Sequence, residues 1–277
     1  MRCVIFKYLV GLATGVFCAV TVTHAAVAPP KVFIEDLTTT ELHDRVNNGT
    51  TTILIPIGGT EQNGPHMVLG KHNVRARFLA GRIAERLGNA IVAPVLAYVP
   101  EGSITPPAAH MRFSGTISIS ESAFESILES TAKSFRQHGF HDIVFLSDHG
   151  GYQKSVQHAT DKINKARGSD TTFRAYDLTA YYEASQTAFG QLLRGKGFSA
   201  AEIGIHAGLA DTSLAMAIDP ALVHTDRLAD AARNSPANGV AGDPRKSTAE
   251  IGQLGVEMIV DKSVLAIQHA VQQRSAR

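Results

Sequence analysis

The stretch HDIVFLSDHGG, at residues 141–151, predicts the fold of this chain more strongly than any other. Its four consecutive apolar residues, Ile143 to Leu146, are followed by polar side chains and two glycines. A short continuous apolar run of this kind is typical of a strand buried on both faces of a parallel sheet. The stretch TTILIPIGG, at residues 51–59, has the same form. We therefore predict two buried strands that end in glycine turns.

Helical segments separate the predicted strands along the chain. Apolar residues recur at helical spacing over residues 73–87, 121–138, 152–167, 179–195 and 248–273, and DLTTTELHDRVNNGT reads as a capped helix. Further strands are predicted in AIVAPVLAYVP, FSGTISIS and TTFRAYDL. This alternation indicates an α/β fold with a mostly parallel sheet covered by helices on both faces. No second-domain linker interrupts it, so we predict one domain over residues 26–277.

The first 25 residues have the organisation of a secretory signal peptide. Arg2 and Lys7 precede an apolar stretch from Tyr8 to Val22, and small residues follow. The apolar stretch is short for a membrane-spanning helix, and the order of segments matches a cleavable signal. We therefore expect cleavage near Ala25, no membrane association afterwards, and a periplasmic or secreted protein.

The composition excludes several functional classes. A net charge of +1 without a Lys/Arg cluster argues against a nucleic-acid partner. Cys3 and Cys18 both lie in the predicted signal peptide, so the mature chain has no thiol nucleophile and no thiolate ligand. Any metal must therefore be held by His, Asp and Glu.

Polar side chains cluster where the predicted strands end. Ligands of open α/β sheets bind beyond the carboxyl ends of the strands, so we expect these clusters to meet at one edge of the sheet. The clusters are GGTEQNGPHMVLGKHN at 58–73, with Glu61, Asn63, His66 and His72; SDHGG at 147–151, with Asp148 and His149; and GIHAGLADTS at 204–213, with His206 and Asp211.

The residues alone leave alternatives open. Glu61 could cap the next segment, His66 could be structural, and His72 could cap the helix that begins beside it. His110, which precedes MRFSGT, could face the site. For His149 we favour metal ligation, because the two glycines after it permit close approach of a ligand. These patterns indicate a His/carboxylate metal hydrolase.

The motifs resemble those of the creatininase (creatinine amidohydrolase) family. IPIGGTEQNGPHMVLGKHN is similar to its Gly-Ser-x-Glu-Gln-His-Gly-Pro-His-Leu-Pro signature, and HMRFSGTISIS to its His-x-x-Phe-Pro-Gly-Thr segment. SDHGGYQ resembles its Asn-Gly-His-Gly-Gly-Asn motif, and IHAGLADTS its His-Ala-Gly-Glu-x-Glu-Thr-Ser motif. GDPRKSTAEIG resembles its Gly-Asp-Pro segment more loosely. The motifs occur in the family's order.

The resemblance implies a three-layer α/β/α sandwich, a homo-oligomer, often a hexamer, and a divalent metal centre that activates water to hydrolyse an amide, often a cyclic one. By position, Glu61 and His149 match metal ligands. Asp211 matches an acidic ligand or base, and His206 matches the histidine assigned to proton transfer. The implied partner is a small-molecule substrate.

Three positions depart from the family's pattern. Asn63 stands where the family has a metal-binding His, His72 where it has the Asp that bridges two metals, and Leu209 where it has a Glu. A neutral imidazole gives one nitrogen to one metal, so a second metal is not expected. We therefore predict one metal per chain, with zinc favoured over manganese or iron. Its predicted ligands are Glu61, His72, His149 and Asp211.

The remaining side chains receive roles in the predicted hydrolysis. Asp211 would take the proton of the attacking water, and His206 would protonate the leaving nitrogen. Asn63 would hydrogen-bond the oxyanion, and Asp148 would orient His149. His66 and His110 are expected close to the ligands or the substrate. Two other functions fit the altered motifs: a small-molecule-binding protein that has lost turnover, and a metal-dependent lyase or isomerase for a sugar or cyclitol.

Overall fold

The computed structural model describes residues 31–275. The predicted signal peptide lies outside these residues, so the division into residues 1–25 and 26–277 stays a prediction. Among the described residues, no helix combines the length and the apolar character needed to span a membrane.

A parallel sheet of four strands lies at the centre of the described residues, in the order β2-β1-β3-β4. The strands are β1 (Thr52–Ile57), β2 (Ala90–Val92), β3 (Asp142–Ser147) and β4 (Arg174–Asp177). β1 pairs with β3 over its full length, from Thr52 opposite Asp142 to Ile57 opposite Ser147. Every residue of these two strands is buried, which confirms the prediction made from their apolar runs.

Helices cover both faces of this sheet. Ile53, Ile55 and Ile57 pack on one face against α1, α3 and α4, and Leu54 packs on the other against α2, α8 and α10. The three-layer α/β/α arrangement is therefore confirmed. The helices are α1 (Thr39–Asn47), α2 (Lys71–Leu87), α3 (Glu121–Gln137), α4 (Gln153–Ala166), α5 (Thr179–Glu183), α6 (Phe189–Gly195), α7 (Ala200–Ile203), α8 (Leu209–Ile218), α9 (Leu228–Arg233) and α10 (Ala249–Ser275).

Several predicted elements differ from the structure. Residues 113–120 contain no strand, so the prediction from FSGTISIS is wrong; the segment makes isolated backbone bonds, such as that of Ile117 to Thr60. The strand predicted in AIVAPVLAYVP ends at Val92, two residues before a proline that cannot donate to a ladder. A π-helical turn over Ala184–Ala188 separates α5 from α6 within the predicted helix. Helix α8, over Leu209–Ile218, was not predicted.

Candidate metal centre

Glu61 occupies the middle of the site, in the loop after β1. Its side chain is fully buried. Oε1 accepts a hydrogen bond from Nε2 of His72 at 2.7 Å and lies 4.0 Å from Nζ of Lys71. Burial alone would raise the pKa of Glu61, but the neighbouring His72, His149 and Lys71 bring it below its usual range. The carboxylate is therefore ionised at neutral pH.

The second oxygen of Glu61, Oε2, faces two imidazoles. It lies 3.2 Å from Nε2 of His110 and 3.3 Å from Nε2 of His149. It nevertheless forms no hydrogen bond, although it is buried. One candidate ligand atom from each of these three residues lies within 4.8 Å of the other two. Such a carboxylate oxygen between two imidazole nitrogens fits a divalent metal such as zinc or manganese.

Both imidazoles are kept neutral, which is the form that ligates metals. Burial lowers the pKa of His149 to about 3, and burial also lowers the pKa of His110. The loops after β2 and β3 supply these two side chains, and the loop after β1 supplies Glu61. Adjacent parallel strands thus bring the ligands together at one sheet edge, as predicted.

Glu101, which was not predicted from the sequence, lies directly behind His149. Its Oε2 lies 3.2 Å from Nδ1 of His149, the nitrogen opposite the one that faces Glu61. Neither carboxyl oxygen has a hydrogen-bond partner, and burial together with the charge of Glu61 raises the pKa of Glu101 to about 9. Gly59 makes room for it, since a Cβ there would lie 2.5 Å from Oε1 of Glu101. In the sequence, Glu101 directly follows the predicted strand AIVAPVLAYVP, and this position could have identified it as a candidate site residue.

His72 lies between two carboxylates. Besides the Nε2 bond to Glu61, its Nδ1 lies 2.6 Å from Oδ2 of Asp148, which is shorter than the 3.0 Å between Nδ1 and Nη2 of Arg75. With both nitrogens directed at carboxylates, His72 has no lone pair directed at a metal. Asp148 contacts His72 rather than His149, the histidine it was predicted to orient.

Asp211 is held by two buried cations, Lys71 and Arg75. Lys71 Nζ contacts its Oδ2, and Arg75 Nη1 donates to its Oδ1 at 2.6 Å. Burial would raise the pKa of Asp211, but Lys71 and Arg75 bring it well below its usual range. Asp211 is consequently a poor proton acceptor. Neither Lys71 nor Arg75 was predicted from the sequence as a site residue.

His206 lies beside Glu61 with one nitrogen available. Its Nε2 donates to the backbone oxygen of Gln62 at 3.0 Å, and its Nδ1 lies 3.7 Å from Oε1 of Glu61. Burial, and then the charge of Lys71, lower the pKa of His206 to about 4. The neutral ring therefore presents an unprotonated Nδ1 to the site.

Asn63 and His66 support the loop. The amide nitrogen of Asn63 donates to the backbone oxygens of Glu61 and Val68, which leaves no hydrogen for an oxyanion. His66 Nε2 lies 3.0 Å from the hydroxyl of Thr212, and burial lowers the pKa of His66 to about 4. These contacts favour the structural interpretation of both residues.

The side chains that lie together in the structure differ from the predicted set of metal ligands. Glu61 and His149 belong to both, but His110 takes the place of His72 and Asp211. The reason lies in hydrogen bonding: His72 and Asp211 are fully engaged with charged partners, whereas His110 faces the unpartnered oxygen of Glu61. Which of these residues bind a metal stays a prediction.

Two cavities share His110 and His149 in their linings. The larger, of about 570 Å³, is also lined by Glu101, Ser120 and Glu121. The smaller, of about 180 Å³, is lined by Lys71, His72, Arg75, Tyr182, His206 and Asp211. Two of the three candidate ligands thus border both a roomy cavity and a smaller one lined mainly by polar side chains.

Comparisons with known proteins show the family of this chain. The family model described as creatininase, creatinine amidohydrolase, matches residues 35–267. A creatinine amidohydrolase of Pseudomonas putida is 26% identical over 257 residues, which cover 86% of this chain and 96% of that protein. A mycofactocin precursor peptide peptidase of Mycolicibacterium smegmatis is 28% identical over 237 residues, covering 78% of this chain and 82% of that protein.

Solved creatininase structures share the fold. One, described as a mutant creatininase of Zn-Zn type, has a TM-score of 0.69 at 25% identity and covers 87% of this chain and 98% of its own. Another, described as creatininase Mn, has a TM-score of 0.68 at 26% identity and covers 87% of this chain and 99% of its own. The match of the family model spans every side chain of the candidate site, and the chain belongs to the creatininase (creatinine amidohydrolase) family, a class of metal-dependent amidohydrolases.

Proposed function

We propose that this protein hydrolyses an amide C–N bond of a small molecule with one divalent metal ion, held by Glu61, His110 and His149. The observation that carries the proposal is the buried Oε2 of Glu61, which has no hydrogen-bond partner and lies 3.2 and 3.3 Å from the two Nε2 atoms. An ionised oxygen left unpaired in the protein interior costs free energy that a bound cation removes.

When bound, the metal would polarise the amide carbonyl and make a coordinated water acidic enough to attack it. Zinc is the metal we expect at this site, because zinc binds histidine nitrogen readily, whereas magnesium prefers sites whose ligands are all oxygen atoms. Nδ1 of His149 accepts a hydrogen bond from the backbone N–H of Gly151 at 3.2 Å and lies 3.2 Å from Oε2 of Glu101, so these neighbours hold the ring with Nε2 directed at the proposed metal. Partners of this kind fix the orientation of a ligating histidine.

We assign proton transfer to His206. Because its Nε2–H is engaged by the backbone of Gln62, Nδ1 is the atom free to accept the proton of the attacking water. The same nitrogen would then return the proton to the leaving amine. Asp211, the predicted base, is unsuited to this step because Lys71 and Arg75 stabilise its ionised form.

The substrate compartment is the larger cavity. About 570 Å³ accommodates a small molecule, and His110 and His149 line its wall. The relatives from Pseudomonas putida and Mycolicibacterium smegmatis are described as an amidohydrolase and a peptidase, and both descriptions denote cleavage of an amide bond. We therefore propose a compact amide as the substrate, with cyclic amides the first class to examine. The composition of residues 1–25 supports action in the periplasm or outside the cell.

The test is hydrolysis of a panel of creatinine, other cyclic amides and short peptides by the mature protein, loaded with zinc or manganese. We expect ring opening or cleavage of one class, lost in Glu61→Gln and retained in Glu257→Gln, which removes a surface carboxylate bound to Arg82 and Arg86. Metal-dependent binding of a panel member without turnover would instead favour the binding-protein interpretation. An enzyme whose Glu61→Gln variant keeps full activity would contradict the proposal.

A further inference from the structure

The two cavities beside the candidate metal site differ in size and in their walls. The larger, of about 570 Å³, has Ser103 and Ile119 in its wall, whereas the smaller, of about 180 Å³, has Tyr182, Gln186 and His206. A protein cavity of about 150 Å³ holds one benzene molecule. The smaller cavity therefore has room for about one six-membered ring, whereas the larger also admits a group of two fused rings.

The wall of the smaller cavity is formed in part by the segment that follows β4. Tyr182 belongs to α5, and Gln186 belongs to the π-helical turn Ala184–Ala188. A Cβ on Gly150 would lie 2.5 Å from the hydroxyl oxygen of Tyr182, so the absence of a side chain at Gly150 leaves room for this phenol ring. Tyr182 thus limits the space beside the candidate ligand His149.

The charged side chains of this wall are paired with one another. Arg75 pairs with Asp148 and Asp211, and Lys71 also contacts Asp211. Two positive and two negative side chains thus line the smaller cavity with balanced charge. An ion that enters such a cavity loses its hydration and finds no unpaired charge to compensate it. The lining therefore favours an uncharged group.

The position of His206 decides which part of an amide enters the smaller cavity. Within the described residues, His206 lines the smaller of the two cavities and not the larger. Hydrolysis adds the water oxygen to the carbonyl carbon, breaks the C–N bond and gives the leaving nitrogen a proton, for which Nδ1 of His206 is the assigned donor. A proton donor must lie within hydrogen-bond reach of the atom that it protonates. The leaving nitrogen and its substituent must therefore lie on the side of the smaller cavity.

We propose that the smaller cavity binds the amine side of the substrate and the larger cavity its acyl side, so that the protein selects amides with a large acyl group and a small, uncharged amine. This inference rests on the proposed function, because it uses the role of His206 in proton transfer. In a cyclic amide, the same rule directs the ring nitrogen towards His206. Tyr182 is the residue that limits the size of the amine.

The test compares two isomeric amides that differ in the direction of the amide bond. N-methyl naphthylacetamide carries its two fused rings on the acyl side, and N-(naphthylmethyl)acetamide carries them on the amine side. Dissociation constants for the zinc-loaded mature protein are measured by calorimetry, and product formation is followed by chromatography. We expect the first isomer to bind, and to be hydrolysed, at least about 10-fold better than the second.

Three variants assign this preference to the two cavities. Tyr182→Ala should remove most of the preference by improving the binding of the second isomer. Ser103→Phe, which narrows the larger cavity, should weaken the binding of the first isomer only. Tyr98→Ala is the matched control, since it removes an exposed tyrosine that belongs to neither wall, and it should keep the wild-type preference.

The ratio of the two dissociation constants decides the inference. Equal binding of the isomers, tighter binding of the second, or binding of neither overturns it, whether or not hydrolysis occurs. Tighter binding of the first isomer without any product would count against the proposed function but would still support the assignment of the two cavities. Should Tyr182→Ala fail to fold, the wild-type ratio and Ser103→Phe decide, and a ratio that Ser103→Phe leaves unchanged overturns the inference.

Discussion

The carboxylate of Asp148 lies 2.6 Å from Nδ1 of His72, and through that imidazole it is connected to Glu61, whose Oε1 lies 2.7 Å from Nε2. Tyr181 also donates to Asp148, at 2.7 Å. Asp148 follows β3 and Glu61 follows the neighbouring β1, so His72 joins the loops of two central strands. The Glu61 carboxylate, which faces His110, is thus held in position by a chain of buried hydrogen bonds through His72 to Asp148.

Asp148→Ala should destabilise the fold by about 3–5 kcal/mol, because it leaves the buried Arg75 guanidinium and the buried His72 ring without their shared partner. The free energy of unfolding from urea titrations measures this effect. Asp261→Ala is the matched control, since it removes an exposed carboxylate bound to Arg86 and should cost less than about 1 kcal/mol. Equal losses in the two variants would contradict the structural role of Asp148.

The sequence predicts the fold well because its signals are local. β1 and β3 are runs of apolar residues that end near glycines, and α1 is preceded by its N-cap Thr38, which forms a capping box with Glu41. The false strand at residues 113–120 shows the limit of this reasoning. Its alternating pattern fits a strand edge, but pairing depends on a neighbour that lies far along the chain.

Glu101→Leu should weaken zinc binding by about 10- to 100-fold, because it removes the carboxyl group that lies 3.2 Å from Nδ1 of His149 and helps to position that ring. Competition with a zinc chelator measures the affinity at pH 7. Glu121→Leu provides the control, since Glu121 lines the same cavity and, within residues 31–275, forms no ion pair with His110 or His149. The role given to Glu101 fails if both variants bind zinc as the wild type does.

Asp177 should make the fold less stable as the pH rises. Burial, and then the charge of Asp161, raise the pKa of Asp177 from 3.8 to about 6. The folded state therefore keeps a proton that the unfolded chain has lost, so this stabilising contribution is complete below about pH 4 and disappears as the pH rises through 6. With partial exposure discounted, the contribution is about 1–2 kcal/mol.

Urea titrations of the wild type and of Asp177→Asn at several values between pH 4 and pH 8 measure this contribution. The variant should become more stable relative to the wild type as the pH rises. A difference between the two proteins that does not change with pH would show that Asp177 titrates normally.

The site was less predictable than the fold, because a motif gives residue types but not the direction of their polar atoms. His72 was the expected ligand from its position in the motif, yet both of its nitrogens face carboxylates. Its neighbours Lys71 and Arg75, four residues apart on one face of α2, are the cations that engage Asp211. The sequence shows that spacing. It does not show that the partner of both cations is Asp211, which lies about 140 residues further along the chain.

The measurement that tests the central claim most directly is the metal content of the mature wild type, His110→Ala and His72→Ala after zinc loading. We predict one zinc ion in the wild type and none in His110→Ala, while His72→Ala keeps the ion with an affinity lowered by about 10- to 100-fold. His138→Ala, which alters the C-cap of α3, controls for loss of a histidine. A wild type without metal, or a His110→Ala variant that retains zinc while His72→Ala loses it, would contradict the account.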